Sequence, residues 1–427
     1  MVVARSEQRV SSTAAAESQS REARPVTSQL CVRGGAISTQ HGCESLRDDI
    51  QVRANGRRVT LIAHGARVVL VFNESRTTAT NSTMAAPKEE TLLARCEIPI
   101  IDLAHIGTEI CPMKSVVKRI GQQLFAALST KGLAMLVNHG VAEDKLKAVY
   151  ADLDNFCALP EGCQAQYLRN PVNKHGYVRP GTEQFDNTKK ELRHSFNITT
   201  LSAASMPAQE EVPEFTTHTV PLAHDLTNLS RVLLQALASV FGLPTSALLA
   251  CHSGMLKSDA DRNNPSCMQL LYYPPVPPED KGPCCHDAIA YTRCGAHSDR
   301  CTFTLVAQDS EGGLEVKLNG SDKWQAVGHL PGAILVQTGE LLANWTSNLL
   351  PAMMHRVVIP DGTYARARGR HCVAFFCHPD EGATVPTLAM APTPAPPTFT
   401  PHTHITLHHR LLNAAHHIQK RFRETYA

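Results

Sequence analysis

The chain has 427 residues, with 41 Lys and Arg against 39 Asp and Glu and a formal net charge of +2. That length sustains a buried core and a self-sufficient enzyme, while the balanced charge, with no basic run interleaved with aromatics, argues against a nucleic-acid partner. The 14 cysteines lack the regular spacing of a secreted disulfide scaffold and contain no C-x-x-C pair, so reduced thiols in a cytoplasmic setting are expected.

Residues 1–83 are rich in Ser, Thr, Ala and Arg, carry no lysine, and read as an extension that does not pack. Such a lysine-free segment suits an organelle transit peptide, although Glu17, Glu22, Asp48 and Asp49 count against it. Met84 opens Met-Ala-Ala-Pro just ahead of the first ordered-looking strand, which fits an upstream extension that the fold does not need. The apolar stretch from Thr60 to Phe72 is broken by His64 and Arg67 and is too short to cross a bilayer, so a soluble protein with no membrane partner is expected.

Residues 96–245 read as a region of helices and short strands. Ile98-Pro99-Ile100-Ile101-Asp102-Leu103 predicts a strand, and Ser115 to about Thr130 a helix ending at Gly132. Leu133–Val137 predicts a buried strand closed by Asn138-His139-Gly140-Val141. A helix is expected from Glu143 to about Cys157, stopping before Pro160, and another from about Leu222 to Phe241, stopped by Gly242.

Residues 265–380 turn β-rich. Short runs of Val, Leu, Thr, Tyr and Phe alternate with turn clusters such as Asp309–Gly313, Asn319–Asp322 and Pro331-Gly332, which predicts a sandwich or jelly roll. A Pro-rich linker is expected over 384–404 and a final helix over 405–427.

Chemistry enters at His297-Ser298-Asp299. In an extended strand residues two apart share a face, so an imidazole and a carboxylate can converge on one metal. The spacing alone is weak, since 21 histidines make such a triplet unsurprising and His378-Pro379-Asp380 is a second case. His355, in Met354-His355-Arg356-Val357-Val358, discriminates them: it follows His297 by 58 residues (355 − 297) and can come from a facing strand. Two histidines and one carboxylate leave positions open on ferrous iron for oxygen and a co-substrate. His378-Pro379-Asp380 has no such strand after it and is treated as a decoy. Cys284-Cys285-His286-Asp287 lacks a spaced second pair and reads as a loop rather than a zinc site. Trp324 and Trp345 are expected to pack the sandwich, and the histidines from His402 to His409 to decorate the final helix.

From Ile98 onward the chain resembles the isopenicillin N synthase-like family of iron and 2-oxoglutarate-dependent dioxygenases. The resemblance rests on Ile98–Leu103, Val137–Val141, His175-Gly176-Tyr177, Tyr272-Tyr273-Pro274-Pro275, Gly295–Asp299, Gln308-Asp309 leading into Gly312–Val316, His355-Arg356-Val357 and Arg421–Tyr426, in that order. It implies a mainly β fold with flanking helices, a double-stranded β-helix (jelly roll) with Fe(2+) held between its sheets by His297, Asp299 and His355. It also implies O2 and 2-oxoglutarate as co-substrates, ascorbate as an optional reductant, and a monomer that hydroxylates or desaturates a small-molecule metabolite while 2-oxoglutarate is decarboxylated to succinate.

In that family an arginine grips the distal carboxylate of 2-oxoglutarate, a task suited to a planar guanidinium. Arg366, Arg368 and Arg370 compete, and strand alternation would give all three one face. The family's R-x-S stands just before Phe-Phe, here Phe375-Phe376, so Arg370 is the match and Cys372 replaces the serine. Tyr273 is expected as a further co-substrate contact. Leu271 stands where many relatives have asparagine, and a neutral hydrogen bond lost at such a position costs on the order of 1 kcal/mol, enough to weaken binding without abolishing it. The rival readings are an oxidase or oxidative cyclase of the same fold, a metal-free binding protein, and a metal-dependent hydrolase.

Overall fold

The computed structural model describes residues 98–385, apart from 105, 107–112, 187, 257–264, 278–290 and 361–362, together with strands at 50–54, 57–64, 67–73 and 412–413. The chain divides into two compact units, Met1–Ala86 and Pro87–Ala427.

In the first unit β1 (Ile50–Ala54), β2 (Arg57–His64) and β3 (Arg67–Asn73) form a three-stranded antiparallel sheet. This differs from the unpacked extension expected over 1–83. The local signals are the runs Val59–Ile62 and Val68–Phe72, spaced by Asn55-Gly56 and Gly65-Ala66, which match two-residue hairpin connections. Averaged over the whole polar segment, they are diluted.

The second unit opens with β4 (Ile100–Asp102), α1 (Lys114–Thr130) and β5 (Leu133–Val137), with β4 and β5 parallel. Asn138 (φ 54°) and Gly140 (φ 82°) turn the chain after β5. The Asn138 amide donates to Asp102 Oδ1 at 2.8 Å, and the buried His139 ring donates to the Gly332 carbonyl at 3.0 Å and accepts from the Val141 amide. The Asn-His-Gly-Val motif is thus a stitch between strand ends, made by a neutral histidine.

Next come α2 (Glu143–Cys157), α3 (Glu161–Gln164), β6 (Gly176–Val178), β7 (Lys190–Glu191), β8 (His194–Ile198), α4 (Phe215–Val240) and α5 (Ser246–Ala250). Helix α4 begins seven residues before the expected Leu222 (222 − 215) and contains Pro221. Proline forfeits one ladder bond, but Phe215, Thr219, Leu222 and Leu226 lie buried along one side, and their burial outweighs it.

The β-rich part comprises β9 (Cys267–Tyr273), β10 (Tyr291–Thr292), β11 (Cys294–His297), β12 (Phe303–Gln308), β13 (Leu314–Lys317), β14 (Trp324–Ala326), β15 (Ile334–Thr338), α6 (Glu340–Trp345), β16 (Met354–Val357), α7 (Thr363–Arg366) and β17 (Arg370–Cys377). A large sheet runs β4-β5-β15-β12-β17-β9-β8-β6, and a small one β11-β16-β13-β14. β18 (Thr384–Val385) pairs with β19 (Leu412–Asn413). Those last two residues, the only ones described within the expected final helix, are therefore extended, because pairing with β18 supplies their backbone partners. The rest of that helix, the linker from 386 onward, the histidines from His402 to His409 and the Cys284–Asp287 motif lie outside the described residues.

Alternation along the large sheet creates two cores. Ala134, Leu136, Met268, Leu270, Phe303, Leu305, Ile334, Val336, Val373 and Phe375 face the helices. Their strand neighbours Leu133, Met135, Leu271, Tyr273, Val306, Leu335, Cys372 and Ala374 join Leu314, Val316 and Val357 of the small sheet in a second cluster. The jelly roll is this second cluster with its two sheets. Neither tryptophan packs there. Trp345 lies in the helical core edge-on to His252, and Trp324 sits on the small sheet beneath the Arg356 guanidinium, 4.3 Å from its ring.

A further tie joins α2 to β17. The His371 ring stacks on Tyr272 and Tyr150 and meets Asp154 Oδ1 at 2.7 Å and Asp309 Oδ2 at 3.5 Å. Burial opposes its charge, but the two carboxylates outweigh it and raise its pKa to about 9. Its folded pKa exceeds the unfolded one, so this stabilisation is complete below about pH 6.5 and is lost as pH rises through about 9. Solvent at half-exposed Asp154 leaves on the order of 2 kcal/mol. Thermal melts from pH 6 to 10 are expected to show that decline in the wild type and a flatter profile in His371→Gln; parallel profiles would remove the clamp.

Candidate active site

Among the described residues one group has the geometry to hold a metal: His297, Asp299 and His355, with ligand atoms all within 4.8 Å of one another. His297 and His355 are direct cross-strand partners on β11 and β16, and a bulge between Cys294 and His297 aims the first ring at the second. Their ring centroids are 4.2 Å apart. His355 therefore lies beside His297 in the small sheet, not across the barrel as expected. The expectation that Asp299 shares a strand with His297 is also corrected: β11 ends at His297. Asp299 is placed instead by its own hydrogen bonds, Oδ2 accepting from Thr304 Oγ1 at 2.5 Å and from Gln337 Nε2 at 2.7 Å. Both donors belong to the large sheet, so the group spans the two sheets.

These contacts decide which atoms remain available. The His297 Nδ1–H donates to the Gly295 carbonyl at 2.9 Å and the His355 Nδ1–H to the Met353 carbonyl at 3.2 Å. Each Nε2 then carries the lone pair and stands 3.7 Å from Asp299 Oδ1, with the Gln337 amide also 3.4 Å from the His355 Nε2. Burial lowers the pKa of both imidazoles, so both are neutral, the form that binds metal. Burial would raise the Asp299 carboxyl, but the charge the two imidazoles carry once acid protonates them, together with the Thr304 and Gln337 hydrogen bonds, outweighs it, and the group is held below the usual carboxylate range. Two neutral nitrogens and one carboxylate oxygen on one side fit ferrous iron with open positions.

The cavity that adjoins this group is lined by Arg370, Tyr273 and Cys372 at one end and by Gln269, Leu271, Ala374 and Phe376 along the large sheet. Arg370, 1% exposed, opens β17 with its guanidinium 5.0 Å from the Tyr273 ring centroid. Its Nη2 donates to Gln308 Oε1 at 2.9 Å, while Nε and Nη1 have no partner among the described residues. A buried guanidinium with two unsatisfied donors fits a carboxylate. Burial pushes the Cys372 thiol up to about 11, so it stays neutral beside Arg370. The other two arginines do not share this face: Arg366 ends the short helix α7, and Arg368, in the bend before β17, pairs with Glu311 at 2.6 Å. The strand begins only at Arg370, which removes the alternation that grouped them.

Asp380 of the decoy triplet accepts from the Ser253 amide and hydroxyl and the Gly254 amide, at 2.8, 2.7 and 2.9 Å, and so ties two chain segments together. Tyr177 and Phe196 belong to the helical core. Phe185 does reach the site, its ring stacked on His297 at 4.2 Å and held by a bond from its amide to Glu191 Oε1. Sequence reasoning passed over Thr304 and Gln337, and did not name Phe185 as a site residue. The one signal for Gln337 was a lone amide directly after the apolar run Ile334–Val336.

The chain matches two family models: "non-haem dioxygenase in morphine synthesis N-terminal" over residues 98–221, and "2OG-Fe(II) oxygenase superfamily" over residues 264–379. It is 27% identical over 300 residues to a 2-oxoglutarate-dependent dioxygenase, htyE, of Aspergillus rugulosus, covering 62% of this chain and 85% of that one. To the proline hydroxylase buaE of Petromyces alliaceus it is 28% identical over 287 residues, 63% and 84% of the two chains. The crystal structure of a full-length Neurospora crassa protein in complex with alpha-KG and thymine superposes with a TM-score of 0.62 at 21% identity, over 80% of this chain and 100% of that one. The chain belongs to the iron(II)- and 2-oxoglutarate-dependent dioxygenases, and the likeness to isopenicillin N synthase-like enzymes is consistent with it. It is accordingly an oxidoreductase that uses Fe(2+) and 2-oxoglutarate.

Proposed function

We propose that His297, Asp299 and His355 hold the iron and that Arg370 holds the distal carboxylate of 2-oxoglutarate, with Tyr273 and Cys372 shaping that end of the pocket. The observation that carries this is the pair of unpartnered Arg370 donors in the cavity beside the His-Asp-His group. When bound, iron and 2-oxoglutarate supply the oxidising chemistry that removes a substrate hydrogen. The chain's own residues orient and exclude. Gly295 and Met353 fix the imidazole tautomers, Thr304 and Gln337 fix the carboxylate, and Phe185 covers one face of His297. Leu271, Leu314, Val357, Ala374 and Phe376 keep the cavity largely apolar, which limits water near the reacting atoms.

The substrate is a small metabolite admitted along this apolar wall, and hydroxylation or desaturation is the reaction. The catalytic domain is the jelly roll of residues 265–380. We read the protein as a monomer of a reducing, cytoplasm-like compartment, with neither nucleic acid nor membrane as partner. Among the described residues eight cysteines are free and no helix is long and apolar enough to cross a membrane.

Anaerobic titration of ferrous iron with 2-oxoglutarate tests the reading. A weak visible charge-transfer band is expected in the wild type, and Arg370→Ala is expected to weaken co-substrate binding about a hundredfold, the scale of a lost charge-assisted pair. Iron binding without the band would favour the oxidase of the same fold, and an unaffected variant would remove Arg370 from its role.

A further inference from the structure

One buried carboxylate ties the cover of the His-Asp-His group to the strand beneath it. Glu191, which ends β7, is 0% exposed, and its Oε1 accepts from two backbone amides, Phe185 at 2.9 Å and Gly295 at 2.8 Å. Each amide leads to His297 by a different route. The Phe185 ring stacks on the His297 ring at 4.2 Å with 16° between the planes, and the Gly295 carbonyl accepts from His297 Nδ1–H at 2.9 Å. A single oxygen therefore bears on both the face and the edge of one imidazole.

The backbone around Glu191 fixes this arrangement. β7 pairs in parallel with β10, with Glu191 opposite Thr292, which sets Glu191 beside the chain leading into β11. Gly295 lets the Phe185 loop lie directly on β11: a Cβ there would stand 2.7 Å from the Asp186 nitrogen and 2.9 Å from the Phe185 carbonyl carbon, both backbone atoms. The other oxygen, Oε2, has no hydrogen bond among the described residues and stands 3.6 Å from Arg193 Nη2. Arg193 has a nearer carboxylate in Glu183, at 3.0 Å, so service as a counter-ion does not account for Glu191. A buried carboxylate is costly unless hydrogen bonds offset the lost water, and here those bonds go to the loop and to β11.

We propose that Glu191 is a positioning residue for His297: through the Phe185 and Gly295 amides it keeps the ring face covered and Nδ1–H engaged, so that Nε2 is presented to iron. The proposal rests on the ligand role given to His297 above. Reach matters here more than charge. Glu191→Gln keeps an acceptor oxygen at the same distance without the charge, whereas Glu191→Asp keeps the charge but falls one methylene short of both amides.

The test uses the full-length protein below the melting range of every variant, with two readouts. One is the proton spectrum of the histidine rings without metal, in which a ring stacked on a phenyl face is shifted upfield; the other is anaerobic titration with ferrous iron. The signal that disappears in His297→Ala belongs to His297. In the wild type it is expected upfield, and an ordinary position overturns the proposal before any change at Glu191. Glu191→Asp is expected to lose the upfield shift and to weaken iron about tenfold, the scale on which groups that orient metal ligands act, while Glu191→Gln keeps the shift and stays within about threefold of wild type. A counter-ion role would reverse that order, and a purely structural role would lower both melting temperatures with shift and iron affinity unmoved; either result overturns the proposal. Should Glu191→Asp fail to fold, Phe185→Leu decides, since it leaves the carboxylate and both amides in place. Loss of the upfield shift with severalfold weaker iron supports the proposal, and unchanged iron affinity overturns it. His297→Ala separates the two readings. If it loses iron while Glu191→Asp keeps it, only the present inference falls; if it keeps wild-type affinity, the ligand role of His297 falls as well.

Discussion

Asp299→Ala is expected to abolish ferrous iron binding and reduce oxygen-dependent turnover to background, with the fold retained. Asp299 is the only carboxylate in the group, and its Oδ1 stands 3.7 Å from the Nε2 of both imidazoles. Without it two neutral nitrogens remain, with no negative charge to offset a divalent cation that prefers oxygen and nitrogen together. The substitution leaves Thr304 and Gln337 without their acceptor, at a cost of about 1–3 kcal/mol for buried donors. The helical core takes no part in these contacts, so circular dichroism and a cooperative melt should persist. Asp299→Asn separates charge from shape, since an amide oxygen can still accept from both donors. Iron titration of both variants checks the assignment, and full oxygen-dependent activity in the alanine variant would sink it.

Gly339→Ala should damage the same centre from outside it. Gly339 precedes α6 and packs against the turn that carries Asp299: a Cβ there would overlap the Cys301 carbonyl oxygen and stand 2.7 Å from its carbon and 3.2 Å from the Asp299 carbonyl. All three are backbone atoms and cannot rotate away, so the turn or the start of α6 must shift. Overpacking of this kind costs about 3 kcal/mol, a fall in melting temperature of roughly 5–10 °C for a domain of this size. The Glu340 amide bonds to the Asp299 carbonyl at 2.8 Å, so the shift reaches the carboxylate, and iron affinity is expected to drop at least about tenfold. Calorimetry and iron titration read the two effects separately. A variant with wild-type stability and affinity would show that the turn yields freely.

Much of this centre is legible in the sequence because chemistry constrains residue type. His297, His355 and Arg370 stand out as polar residues within strands, with Asp299 two residues beyond one, and the order of motifs around them is specific. Their geometry was harder to read. An H-x-D triplet looks like strand alternation, yet the strand stops at His297, and a turn held by Thr304 and Gln337 completes the approach. Hydroxyl and amide positioners are common residues whose role appears only when two sheets face one another. Helix α4 starts ahead of the expected Leu222 with Pro221 inside it, and the strands at 50–73 were lost in the average composition of their surroundings.

The large sheet acts as a partition. Because successive side chains of one strand serve different compartments, a substitution at Phe375 is felt by the helices and one at Ala374 by the cavity, although the two residues are adjacent. Variation in robustness and variation in substrate choice can therefore be drawn from interleaved positions of the same strands. A library restricted to Gln269, Leu271, Ala374 and Phe376 would sample new cavity shapes on an unchanged scaffold.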